Sequence, residues 1–409
     1  MLHPFPLIAR LLAMSAAAAP AKDAGAPVPE ELGTFKLVAT GDVMMHEAVK
    51  QSADRHGFGS LFAQVKPLLD GVDVAFGNLE TPVAPKANRG TKPFIFNAPV
   101  ELLPALKDAG FSLLSFANNH VYDQGVAGVV ETLGNLKVAG LSEVGAGLTA
   151  AEALTPVVVE RHGLRIGFLG GTTRFNQNLN SSDPTRPYVV AAGGDALATA
   201  VTALAKTVDA VVVSVHWGNE YEAEPAQEQI DLATRLVEAG ALVILGSHPH
   251  VLQRIELLPT ADGRVALVAY SLGNFVSNQS RDYANGPAPP PAGDPRDGVL
   301  LELTLRKRRY LGGRVATEVG RAEALPLWAD NNALQRKRLT QLPVDIHVVD
   351  LNKELRADTA ELQLLAAPPR PLPEEQQARA MALQQRIELL SLRKLRISDR
   401  LGGSYVSAP

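Results

Sequence analysis

Five apolar runs along this chain end in a short polar segment bearing Asp, Glu, Asn or His. The segments are Thr40-Gly41-Asp42, Gly77-Asn78-Leu79-Glu80, Asn118-Asn119-His120, His216-Trp217-Gly218-Asn219 and Gly246-Ser247-His248-Pro249-His250. Each run has the length and composition of a buried strand, and a parallel sheet gathers the C-terminal ends of its strands along one edge. Stretches with helical spacing at 61–69, 100–109, 125–138, 196–206 and 227–239 separate the runs. Strand alternating with helix predicts an α/β fold with helices on both faces of the sheet. Two hairpins interrupt the rhythm, one turning at His162-Gly163 and one at Ala261-Asp262-Gly263. A strand at 299–305, another at 344–351 and an amphipathic helix at 374–395 follow a Pro/Gly-rich loop.

Composition narrows the chemistry. Of 409 residues, 46% are hydrophobic and 20% charged, which suits a packed core. A net charge of −4 offers no basic excess, so nucleic acid is not an expected partner. There is no cysteine, so any metal is held by nitrogen and oxygen alone. Residues 1–32 form a leader and linker. One cationic residue, Arg10, precedes an Ala-rich apolar run that resembles an export signal, and a disordered Ala/Pro leader or a wrongly chosen upstream start codon fits the same residues. Export places the protein in the cell envelope; a non-functional leader leaves it in the cytoplasm. The apolar run is too short to span a bilayer, which takes about 20 residues.

The strand-end residues carry two readings each. Asp42 points into a ligand crevice or caps the next helix. Asn78 and Glu80 fall on one face by alternation, as ligands or as turn residues. Asn119 offers an amide oxygen, and His120, with Asp123 three positions on, can donate a proton; both also suit a polar loop. His216 alone reads as a satisfied core residue. His248 and His250, split by a proline, project to one side and suit a clamp on Zn, Mn or Fe. Four histidines gathered at three predicted strand ends are poorly explained by a plain structural domain.

Taken together, the stretches Gly41-Asp42-Val43-Met44, Asn78-Leu79-Glu80-Thr81-Pro82 and Ala117-Asn118-Asn119-His120 resemble the CapA family. So do His216-Trp217-Gly218, Ser247-His248-Pro249-His250-Val251 and Tyr270-Ser271-Leu272-Gly273-Asn274-Phe275. These are bacterial poly-γ-glutamate capsule biosynthesis proteins related to calcineurin-like metallophosphoesterases. The resemblance covers roughly residues 37–305. It implies a four-layer α-β-β-α sandwich over residues 33–306, with a C-terminal extension at 307–409. It also implies one or two divalent ions with a bridging hydroxide. Asp42, Asn119, His216, His248 and His250 resemble the ligands, and His120 the acid that protonates the leaving group.

Two positions depart from the superfamily pattern. Met44 stands where a histidine is expected, and Asn78 where a bridging Asp is expected. Glu80 is the candidate replacement carboxylate and His46 a candidate replacement imidazole; Asn274 is a candidate contact to substrate or to the metal-bound water. Two functions follow. One is a metal-dependent hydrolase or transferase acting on an anionic envelope polymer or a phosphoester. The other is a non-catalytic polymer-binding component of membrane-associated capsule machinery.

Overall fold

The strand–helix alternation builds two facing mixed sheets. The computed structural model describes residues 28–90, 94–366, 372–403 and 405. At the centre of the first sheet is β1 (Glu30–Val43), paired in parallel with β2 (Val74–Leu79). Beyond β2 lie β3 (Leu113–Ser115) and β4 (Ser142–Val144). On the other side of β1, antiparallel β14 (Asp297–Arg309), β15 (Val315–Asn331) and β16 (Ile346–Asp350) complete the sheet. A short strand, β13 (Asn274–Val276), joins the end of β1 in parallel.

The second sheet has the order β11 (Leu252–Pro259), β12 (Val265–Leu272), β10 (Ala241–Ser247), β9 (Ala210–His216), β7 (Leu164–Thr172), β6 (Val157–Arg161). A two-stranded ribbon of β5 (Ala146–Gly147) and β8 (Tyr188–Val189) lies apart from both.

Strand alternation divides the apolar side chains into layers. Phe35, Leu37 and Ala39 of β1 share a core with Ile166, Phe168, Val212 and Leu267 of the second sheet. Val38 turns the other way, into a cluster with α1 (Glu47–His56), α2 (Leu102–Ala109) and α3 (Gly125–Ala139). Val211, Val213 and Val215 likewise turn outward to α5 (Asp195–Leu204) and α6 (Gln227–Glu238). The result is a four-layer α-β-β-α sandwich, as the family resemblance implies. Helices α4 (Ala150–Ala153) and α7 (Ala333–Arg338) are short. The chain closes with α8 (Leu351–Ala366) and α9 (Glu374–Leu401).

Local chemistry explains where elements stop. Gly110 and Gly140 end α2 and α3 in the left-handed conformation and cap the last carbonyls. The expected helix at 61–69 is instead two 3₁₀ turns, Phe58–Phe62 and Lys66–Leu68. Pro67 lacks the N–H that an α-helix would need there. Residues 30–32, expected in the linker, already belong to β1. The expected boundary at 306 falls inside β14, and the strands beyond it finish the first sheet. The leader reading rests on residues 1–27, which lie outside the described residues. Among those described, no helix is long and apolar enough to cross a membrane.

Helix α9 is fastened by a buried cation. Arg393 is fully buried and donates to Asp297 Oδ1 at 2.9 Å, Asp294 Oδ1 at 2.7 Å and the Pro290 carbonyl at 2.7 Å, with a further bond to Asp297 Oδ2. Removing one partner of such a buried pair leaves the other charge uncompensated and costs about 3–5 kcal/mol. Arg393→Ala is expected to lower the urea unfolding free energy by about that amount. Adding Asp297→Asn should recover part of the loss, because it removes the stranded charge. No loss in the single variant would mean that the pair does not fasten the helix.

Candidate metal centre

The sheet registers bring the predicted residues together. Asp42 of β1 lies opposite Asn78 of β2 and Asn274 of β13, and His216 of β9 lies opposite Ser247 of β10. The C-terminal ends of the parallel strands in the two sheets therefore face one crevice. Asp42, Asn78, Glu80, Asn119, His120, Asp123, His216, His248, His250 and Asn274 all line it, and all are buried.

Among the described residues, two triads within this crevice could hold a metal ion: Asp42, Glu80 and His250, and Glu80, His216 and His248. In each, the ligand atoms lie within 4.8 Å of one another, and Glu80 belongs to both. Glu80 Oε1 lies 3.7 Å from His250 Nε2 and 3.9 Å from His216 Nε2. The Asn119 Oδ1 atom is 3.0 Å from His216 Nε2, on the side of the second triad. Asn78, at the expected position of a bridging carboxylate, donates through Nδ2 to Asp42 Oδ1 at 2.8 Å and to Glu80 Oε2 at 3.1 Å.

The donor set fits a divalent cation. Glu80 Oε1 and His248 Nδ1 are buried without a hydrogen-bond partner. Such atoms have lost water and gained nothing in exchange, a cost that a cation would remove. Burial, and then the adjacent Asp42 carboxylate, hold the Glu80 carboxyl well above the usual range. Burial and neighbouring imidazoles push His216 well below its ordinary value and His248 down to about 3. Neutral imidazole is the form that ligates metal. The backbone is also strained at the clamp, with positive φ at both His248 (99°) and His250 (58°).

Beside the triads sits a hydrogen-bonded His–Asp pair. His120 Nδ1 is 2.8 Å from Asp123 Oδ2, which also accepts the Phe96 backbone N–H at 2.6 Å. Asp123 thereby orients the imidazole through Nδ1. His46 does not join either triad. It precedes α1, and its Nδ1 accepts the Asn278 backbone N–H at 3.3 Å. Burial, then His250, lower its pKa to about 4. Met44 is buried, and its side chain carries no nitrogen or oxygen donor.

The family described as "Bacterial capsule synthesis protein PGA_cap" matches residues 36–279. The chain belongs to this family. It is 32% identical over 302 residues to the PGA biosynthesis protein CapA of Bacillus subtilis, covering 73% of this chain and 75% of that protein. It is 35% identical over 283 residues to the capsule biosynthesis protein CapA of Bacillus anthracis, covering 67% of each. Among solved structures it is similar to the NAD nucleotidase of Haemophilus influenzae, with 13% identity and a TM-score of 0.43 over 87% of this chain and 61% of that one. The PGA_cap match ends at residue 279, so it includes every triad residue and excludes β14 to β16 and α9.

Three residues at the site were not among the candidates singled out from the sequence. Asn176 accepts from Asn119 Nδ2 at 3.3 Å and lies 3.5 Å from His120 Nδ1. Ser247 Oγ sits 2.9 Å from His216 Nδ1. The Phe96 ring packs 4.5 Å from that of His120. Asn176 had a signal, since it lies four residues beyond the end of β7, at another strand terminus.

The lowered imidazoles set a pH dependence in metal-free protein. A histidine whose folded pKa lies below its unfolded value of 6.5 binds its proton better unfolded. For His248, stability is intact above 6.5 and is lost as pH falls from there toward about 3. Glu80 and Asp297, both held high by burial, act in the opposite direction, so the comparison must isolate the histidine. With EDTA present, the fall in urea midpoint between about pH 7 and about pH 5 is expected to be smaller in His248→Gln than in the parent. Equal falls would mean that His248 protonates as easily folded as unfolded.

Proposed function

We propose that this protein is a metal-dependent hydrolase or transferase that acts on a capsule-type anionic polymer or a phosphoester in the cell envelope. The observation that carries the reading is the sharing of Glu80 by two buried triads, with its Oε1 left unpaired. Asp42, Glu80 and His250 would hold one ion. Glu80, His216 and His248, with Asn119, would hold the second. Mn, Zn or Fe suits this set of nitrogen and oxygen donors. When bound, such ions act as Lewis acids and generate a nucleophile from water near neutral pH.

The chain's own residues supply the remainder. Asn78 keeps Asp42 and Glu80 in register by donating to both. Ser247 orients the His216 ring, and Asn274 Oδ1, 3.1 Å from His250 Nδ1, orients His250. His120 gives its Nε2 proton to the leaving oxygen or nitrogen as the bond to phosphorus or carbonyl carbon breaks. Asp123 stabilises the imidazolium before that transfer. The names of the Bacillus relatives support a polyglutamate chain as the polymer.

One observation favours a second reading, a non-catalytic polymer-binding component of a capsule assembly. The Asn78 amide satisfies one oxygen of each carboxylate without a metal.

Metal analysis and turnover separate the two. Purified protein is expected to retain divalent metal, and Glu80→Gln to lose both ions because the carboxylate is shared. His248→Ala should lose one. His120→Ala should keep its metal while hydrolysis of bis-p-nitrophenyl phosphate or of a γ-glutamyl oligomer falls about 10²–10⁴-fold. A parent protein without metal would sink the enzyme reading, and metal without turnover on either substrate would favour the binding one.

A further inference from the structure

A cleft of about 580 Å³ lies against the His120 side of the crevice. That size is within the range of small-ligand sites. Its inner wall is His46 and Phe96, whose rings are 5.0 Å apart, and Phe96 packs in turn on His120. Outward from that wall the lining carries three cations, Lys50, Arg281 and Arg336, and one acid, Glu47. In a chain of net charge −4, such a local excess is not background.

The cations are only partly neutralised. Glu47 pairs with Lys50 at 2.9 Å, and the Glu47 side chain is largely exposed. Arg281 has Asp282 at 3.9 Å, a carboxylate it shares with Lys337, which is closer at 3.0 Å. Arg336 uses Nε on the Leu342 carbonyl at 3.0 Å. Between the charges the floor is apolar, from Met45, Ile95 and Phe96. Phe94 stands at the edge, 79% exposed and with a φ of 67° that a bulky residue rarely adopts.

We propose that this cleft is a subsite for the carboxylates of a glutamyl chain whose scissile bond lies at the metal centre, an inference that rests on the hydrolase reading above. Alternating methylene and carboxylate groups match an apolar floor studded with cations. Guanidinium groups engage carboxylates through two parallel N–H donors, and apolar walls strengthen those bonds by excluding water. A lone phosphoester would use one cation and leave the length of the cleft unfilled. Lys50, Arg281 and Arg336 select an extended polyanion, while the triads carry the chemistry.

Binding can be read without turnover. The probe is a fluorescently labelled γ-linked glutamate hexamer, titrated by anisotropy into the full chain in EDTA. Its controls are the same hexamer with every side-chain carboxylate amidated, and inorganic phosphate as competitor. The acidic hexamer is expected to bind and the amidated one not. Arg281→Glu and Arg336→Glu should each weaken binding about threefold or more, and the double variant about tenfold or more. Raising salt should weaken the parent more than the double variant, because fewer charges remain to be screened. A circular dichroism spectrum and urea midpoint matching the parent in each variant certify the fold, and Lys50→Met provides an independent loss of charge. Equal binding of the amidated hexamer, or unchanged affinity in the double variant, overturns the subsite. Full displacement by millimolar phosphate overturns it in favour of a phosphate site. Failure of hydrolysis with hexamer binding intact would count against the hydrolase reading alone.

Discussion

Two carboxyl groups buried side by side, Asp42 and Glu80, set the terms for everything around them. Neither reaches water, and like charges at close range in a low dielectric repel strongly. The protein meets this with neutral donors rather than with Lys or Arg. Asn78 spans both carboxylates, and imidazoles held neutral by burial surround them. A lysine among the triads would have cancelled the field. Leaving it uncancelled, with Glu80 Oε1 unpaired, keeps the crevice attractive to a cation. The Met44 and Asn78 departures gain a physical meaning here. On the two-metal reading proposed above, Glu80 would take the bridging role two residues along the chain, and Asn78 is the strut between the carboxylates.

Close backbone approach is what lets two sheets deliver ligands to one point. A Cβ on Gly41 would lie 1.8 Å from the Gly273 carbonyl oxygen, so β1 and β13 meet only because no side chain intervenes. Gly246 is similar, with the Tyr270 carbonyl oxygen 2.0 Å from where its Cβ would be. The Ser247-His248-Pro249-His250 turn then spends conformational energy to aim its rings. Positive φ at non-glycine residues costs on the order of 1–3 kcal/mol each, and the packed sheet ends hold both histidines there. Rigid placement of donors is the gain from this strain, because affinity and selectivity for a metal depend on geometry.

Much of this was legible in the sequence, for reasons that can be stated residue by residue. Each strand of the parallel core is an apolar run ending in polar residues, so Asp42, Glu80, Asn119, His216, His248 and His250 could be located by where hydrophobicity stops. The hairpin at His162-Gly163 announced itself, and both residues take the positive φ such a turn needs. What was not legible depended on tertiary context. Helix α1 is mostly polar and charged and buries only Val49, Ser52 and Ala53, so few apolar residues mark it in the sequence. The long strand β15 alternates charged and small residues toward its start and is held there by pairing with β14. Phe96 reads as an ordinary aromatic until the fold sets its N–H on Asp123, and His46 reads as a spare ligand until Asn278 occupies its Nδ1.

The reach of α9 has a consequence for the order in which the molecule can be finished. Arg393 holds Asp297, 96 residues earlier, and Asp294 beside it. The Pro295 carbonyl between those two acids accepts the Asn274 amide at 2.8 Å, and Asn274 in turn contacts His250. Every ligand is therefore synthesised well before the cation that fixes the loop behind them. A nascent chain can form both sheets' parallel strands and still lack the clasp on Asn274. The loop behind the crevice is thus clasped by a residue of the C-terminal helix, the last element of the fold.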